Sequence, residues 1–234
     1  SLRAAESALR GKEDKEQFLL GQIATARATL AISRYQSADA KFHANRALDL
    51  LAAYGSAFRL AALWDLGMAH LFAEERAEAR GFLEEVLALS QASGNVNFQI
   101  ISALGLGAIQ EKDTQLFLAA ETFNRVLRIS GEHPQPNICV AYQGLTRISY
   151  EWNDLENARA YGEQGLVLAC QYDSSIDMSV TCEILMARLE LARGDLKSAE
   201  ARLDTAGQTA HRNGFLHRLP EIRAQMQTDQ VDRA

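Results

Sequence analysis

Proline is nearly missing from this chain, with 3 in 234 residues. Two of them, Pro134 and Pro136, share one short stretch, so helix-breaking chemistry is confined and long helices are permitted elsewhere. Cysteine is equally scarce, and its number, 3, is odd. Cys139, Cys170 and Cys182 fall inside helical patterns with no metal-ligand spacing, which excludes a disulfide framework and a zinc site. The expectation is three buried, reduced thiols in a cytoplasmic protein. Basic charge is not in excess: the net charge is −6. Direct nucleic-acid contact is therefore not expected, because such binding needs a basic face to release counterions. No apolar run approaches the ~18–20 residues of a membrane span, and no basic-apolar-small leader opens the chain. Catalytic, cofactor and metal motifs are missing as well. There is no HExxH, CxxC or GxSxG. Gly105 and Gly107 form a GxG in mid-helix with no strand before it, and Gly11-Lys12 is followed by Glu-Asp rather than Ser or Thr. The five histidines are scattered. No clustered acid, base and nucleophile is present, so no catalytic residue, cofactor or metal is assigned.

What the chain does have is a beat. Ala40, Ala79, Ala119, Ala158 and Ala199 lie 39, 40, 39 and 41 residues apart. Seven residues after each come Ala47, Val86, Val126, Gly165 and Ala206. Twelve residues before each come the compact residues Ala28, Gly67, Gly107, Thr146 and Ala187. Chain-reversal residues keep the same time at Gly55, Gly94, Gly131, Asp173 and Gly214. A period near 40 marks a stack of helical pairs, each unable to bury its apolar face alone. The clearest unit is 148–172. There one helix ends, the chain turns at Trp152-Asn153-Asp154, and a second helix returns. Asn153 and Asp154 supply capping oxygens. Ala158 and Gly162 share a face and leave room for a neighbouring backbone.

The expected fold is all-α: a right-handed TPR-like superhelix, an α-solenoid, of about five helix-turn-helix repeats. It forms a single repeat domain over 1–234, with repeats at approximately 13–55, 56–94, 95–131, 134–173 and 174–214 and a C-terminal capping helix over 215–230 that begins near Pro220. Residues 1–12 read as a separate helical scrap. The first full helix, from Glu13 to about Tyr35, carries an apolar stripe at Leu19, Ile23, Ala26 and Leu30. Ser37 or Asp39 caps the next helix, Gly194 ends a helix and Asp195 caps the one after it. Pro136 stands in the first turn of its helix. The first residue is Ser1 rather than Met, which reads as an excised piece of a longer protein.

The repeats resemble tetratricopeptide units with a longer turn, through columns such as Gly67, Ala79 and Leu83, or Gly107, Ala119 and Phe123. The phrases YEWNDLENARAYGEQGLVLA (150–169) and LARGDLKSAEARLD (191–204) go further. They resemble the helical-repeat sensor domain of the large ATP-dependent LuxR-type transcription activators, the maltose-regulon activator type (MalT-like), over about residues 15–220. In that family an ATPase domain precedes this region and a helix-turn-helix follows it, and neither is in this sequence. The resemblance implies a non-catalytic domain that senses a small-molecule inducer, a peptide or a regulatory protein and helps set self-association. The alternative is a stand-alone TPR scaffold, or a peptide receptor gripping a protein tail or signalling peptide.

In such stacks the first helix of each pair lines the concave face. Counted from the compact column, positions −3, +1 and +4 are expected to point into the groove. The candidate binding residues are Trp64, Met68, Gln143, Arg147, Tyr150 and Arg188: an apolar end, and a polar end whose donors suit a sugar, a peptide or an acidic ligand. Trp152 is expected to anchor a turn between pairs, and Glu151 or Glu183 to be able to pair with the arginines.

Overall fold

The computed structural model describes residues 2–52, 57–131, 135–171, 176–215, 220 and 224. Among these residues all regular structure is helical, as the sequence led us to expect. The helices are α1 (Leu2–Ser33), α2 (Ser37–Leu50), α3 (Ala57–Phe72), α4 (Arg76–Ser93), α5 (Val96–Lys112), α6 (Leu116–Ser130), α7 (Cys139–Glu151), α8 (Leu155–Cys170), α9 (Ile176–Ala192) and α10 (Leu196–Asn213). A 3₁₀ turn, Pro136–Ile138, leads into α7 with proline at its start, where a missing N–H costs nothing. The chain forms two units, residues 1–109 and 110–234, with the boundary inside α5.

The period is built from buried small residues. All five alanines of the main column (Ala40, Ala79, Ala119, Ala158 and Ala199) are 0% exposed. The residues of the other two columns are buried as well. Side chains of this size let two helices approach, and larger ones fill the space between them. In the first unit Leu83, fully buried, lies against the Cα sides of Gly67 and Gly105. It joins a cluster with Leu71, Ala79, Leu106 and Ile109. In the second unit Phe123 lies against Gly144 in the same way. The space beside Gly162 is taken not by a neighbouring backbone, as its spacing with Ala158 led us to expect, but by the Met186 side chain of α9. Met186 packs with Ala158, Leu189 and Leu155.

The turn inside each pair follows the same beat through backbone conformation. Tyr35, Glu74, Thr114, Asn153 and Gly194 all have left-handed φ, between 56° and 80°. They are spaced 39, 40, 39 and 41 residues apart. Each left-handed residue and the one after it donate their N–H groups back to the last turn of the preceding helix, as when Asn153 N bonds Tyr150 O and Asp154 N bonds Ser149 O. Only one of the five is glycine. Left-handed backbone costs an ordinary residue roughly 1–2 kcal/mol, so the paired helices hold these turns in place. Asp154 and Asp195 cap α8 and α10, accepting from Asn157 N at 3.2 Å and Ser198 N at 3.0 Å. Neither Ser37 nor Asp39 caps α2; Gln36 holds that position, without a side-chain bond.

Other expectations are corrected. Residues 2–12 are not a separate scrap but the opening of α1. The stripe on α1 is on the wrong face: Leu19 is 56% exposed, and Ile23 and Leu30 are each 49% exposed. Ala24, Thr25, Ala28, Ala31 and Ile32 are buried instead. α1 packs on α2 and α3, and those contacts select the face with smaller side chains. Of the three cysteines, Cys139 and Cys182 are buried but Cys170 is exposed. Of the chain-reversal column, Gly94, Gly131 and Gly214 have positive φ. Gly55, Asp173 and nearly all of the 215–230 capping helix lie outside the described residues.

Candidate functional site

The second unit brings first helices of successive pairs side by side, α7 against both α8 and α9. Gly165 of α8 leaves room for Tyr142 of α7 and Cys182 of α9, while Gly144 and Gly162 make room for the side chains of Phe123 and Met186. Burial then sorts the three register positions. The −3 position is a packing position: Thr25, Leu104, Gln143 and Ile184 are buried there, and Trp64 is partly so. The +1 position reaches the surface in every repeat, at Thr29, Met68, Ala108, Arg147 and Arg188. The +4 position is mixed, buried at Ile32 and Leu71 but open at Glu111, Tyr150 and Leu191.

Arg147 and Arg188 stand at +1 on α7 and α9, and Tyr150 stands one turn beyond Arg147. All three line one cavity of about 280 Å³. Glu111, in the last turn of α5, and Glu151 line it too. Arg147 grips Glu111 through a two-toothed pair, Nε to Oε1 at 2.5 Å and Nη2 to Oε2 at 2.9 Å. Their side chains are 33% and 19% exposed, so the pair is partly withdrawn from water and stronger than a surface ion pair. This carboxylate is neither of the two named as candidates from sequence. Glu183 is engaged elsewhere, by Arg202 at 2.8 Å, and Glu190 lies 3.8 Å from the same arginine. The rest of the wall is apolar, from Leu116, Ile148, Leu185 and Leu189. Thr114, the β-branched residue in a left-handed turn, also lines it.

Beside the cavity lies an aromatic pair. Phe117 and Trp152 are 82% and 42% exposed, with ring centroids 4.9 Å apart and an interplanar angle of 33°. Their chain neighbours Leu116 and Glu151 line the cavity. Trp152 does sit at a turn and reaches the preceding pair, but as half of an open platform rather than a buried anchor. Phe117 carried no sequence signal, because an exposed phenylalanine next to a buried stripe reads as part of that stripe.

The remaining candidates are placed differently. Gln143 is 7% exposed, and its amide donates to Met178 O at 3.0 Å and towards Cys182 Sγ at 3.5 Å, so it ties α7 to α9. Trp64 and Met68 belong to the first unit. Both pack against core clusters with Ala31, Ile32, Ala40 and Ala69, and with Leu71 and Leu83. The Trp64 indole N–H has no partner. Among the described residues no three His, Cys, Asp or Glu side chains could hold a metal ion together. Burial pushes the Cys139 thiol up strongly and the Cys182 thiol up to about 11, which disfavours the thiolate that reacts. Among the described residues no helix is long and apolar enough to cross a membrane.

The family described as the MalT-like TPR region matches this chain over residues 21–233. No curated protein matches the sequence. Solved structures similar to it include BtubC (BKLC) from P. vanneervenii, with 18% identity, a TM-score of 0.68, and coverage of 91% of this chain and 89% of that one. The apo form of RapI has 16% identity, a TM-score of 0.67, and coverage of 99% and 90%. A Rap protein complexed with Competence and Sporulation Factor has 14% identity, a TM-score of 0.64, and coverage of 94% and 65%. At such identities the likeness is one of fold.

Proposed function

The chain belongs to the MalT-like TPR region family, and from that premise we propose that it is the non-catalytic sensing and interaction domain of a LuxR-type transcription regulator acting in the cytoplasm. Its second unit receives the signal. The observation that carries this reading is the convergence of Arg147, Arg188 and Tyr150, from two neighbouring first helices, on one cavity beside the exposed Phe117–Trp152 pair. A concave site with apolar walls and a few convergent donors is the usual form of a ligand pocket. An exposed aromatic pair next to it is what a binding surface presents and a merely structural surface does not need. A cavity of about 280 Å³ holds a small molecule or one or two side chains of a peptide, and the exposed aromatic pair beside it offers contact to the rest of a peptide. One structure of similar fold is a Rap protein complexed with Competence and Sporulation Factor, which supports a partner-receiving role.

The test is a reporter assay in a full-length regulator carrying this region. Trp152→Ala with Arg147→Ala is expected to abolish the response to its signal while thermal unfolding of the isolated chain stays cooperative. An unchanged response with intact folding would remove this cavity from signal reception.

A further inference from the structure

Resting on that reading of the cavity, we propose that the Glu111 carboxylate occupies the place of a ligand carboxylate, so that the site takes a peptide bearing an acidic group next to an aromatic one, and the ligand binds by displacing Glu111 from Arg147. The geometry has three parts. First, Arg147 and Glu111 meet fork to fork, the arrangement in which a guanidinium recognises any planar carboxylate. Second, the pair stands in the wall of a cavity, where an incoming group can reach it, rather than in a closed core. Third, Glu111 lies in the last turn of α5, Val96–Lys112, one residue from the helix end, so its side chain can swing out to water while the backbone stays.

This exchange sets the specificity. Replacing one carboxylate by another on Arg147 conserves two charge-assisted hydrogen bonds, so the swap itself is close to neutral. Net affinity then comes from what Glu111 does not supply, the aromatic contact with Phe117 and Trp152. A neutral ligand has nothing to offer Arg147 in return for Glu111, so it is held by the aromatic contact alone and binds more weakly. Glu111 thus acts as a built-in competitor for acidic ligands, lowering their affinity without touching that of uncharged ones.

The experiment titrates three probes into the whole chain: N-acetylphenylalanine, its carboxamide, and N-acetylaspartyl-phenylalaninamide. Binding is followed by NMR at the Trp152 indole. N-Acetylphenylalanine is expected to bind about tenfold tighter than its carboxamide. Glu111→Gln should tighten the acid several-fold and leave the carboxamide unmoved. Arg147→Ala should erase the difference between acid and carboxamide, and Arg147→Lys, which keeps the charge but loses the fork, should restore it only in part. Trp152→Ala should weaken both probes alike. If the aspartyl probe matches the acid, the site reads a side-chain carboxylate; if only the acid binds, it reads a chain terminus. Equal binding of acid and carboxamide, or weaker acid binding in Glu111→Gln, overturns the displacement while leaving the cavity as the binding site. Absence of binding by every probe in every folded variant overturns the displacement, and Trp152→Ala without effect on a probe that does bind overturns the site as well.

Discussion

Asp65→Asn is expected to stabilise the chain at pH 8 by about 4 kcal/mol. Asp65, in α3, is 0% exposed, and only one of its oxygens has a partner: Thr29 Oγ1 donates to Oδ2 at 2.9 Å, while Oδ1 has none. Burial is the main cause that pushes this carboxyl up to about 7, against which the Thr29 bond works in the opposite direction. The native state therefore holds the proton over a range where the unfolded chain, titrating near 3.8, has lost it. Stability from this group is greatest below about pH 4 and falls as the pH rises to about 7, where the buried carboxylate must ionise. About three pKa units at about 1.4 kcal/mol each give the magnitude. The asparagine keeps an acceptor for Thr29 and has no charge to bury. Urea unfolding from pH 4 to pH 8 checks this: the wild-type chain should lose stability across the window, and the variant should lack that slope. Parallel profiles would show that Asp65 is solvated in the native state.

The second large effect is steric. An alanine Cβ at position 144 would stand 2.3, 2.6 and 2.7 Å from three ring atoms of Phe123. Phe123 is 0% exposed, so the ring has no room to withdraw. Gly144→Ala is expected to cost about 3 kcal/mol, the upper part of the overpacking range, and to lower Tm by about 6–12 °C. Gly81→Ala is the control. No atom lies within 4 Å of a Cβ there, and the residue is exposed in mid-helix, so alanine should raise stability by about 0.5–1 kcal/mol. Adding Phe123→Leu to Gly144→Ala should recover part of the loss. Additive losses would mean that the two residues do not touch.

These two positions also show what the sequence made legible. Gly144, between Gln143 and Leu145, carried no sequence signal, whereas the beat of Ala40, Ala79, Ala119, Ala158 and Ala199 exposes the fold because close helix packing leaves few choices at those points. The left-handed turns were readable only at Asn153 and Gly194. Tyr35, Glu74 and Thr114 adopt the same conformation with side chains that do not advertise it, because the helix pairs impose it. The face of α1 was misread because Leu19, Ile23 and Leu30 outweigh Ala24, Ala28 and Ala31 in any hydrophobic count, whereas packing selects for fit. At the site, Arg147, Tyr150 and Arg188 were placed by register alone. Glu111 shares that register at +4, but its pairing with Arg147 across 36 residues needs the distance between two helices, which no periodicity supplies. Gln143 failed as a groove residue for the opposite reason: its polarity is consumed between α7 and α9.

The measurement that bears most directly on the account is a selection of random peptides against the whole chain, with each enriched peptide then rebound to Arg147→Ala, Trp152→Ala and Gly81→Ala. Enriched peptides are expected to carry a carboxylate beside an aromatic residue, to lose about tenfold or more in affinity on the first two variants, and to keep it on the third. Enriched peptides that bind all three variants as tightly as the wild-type chain would contradict it.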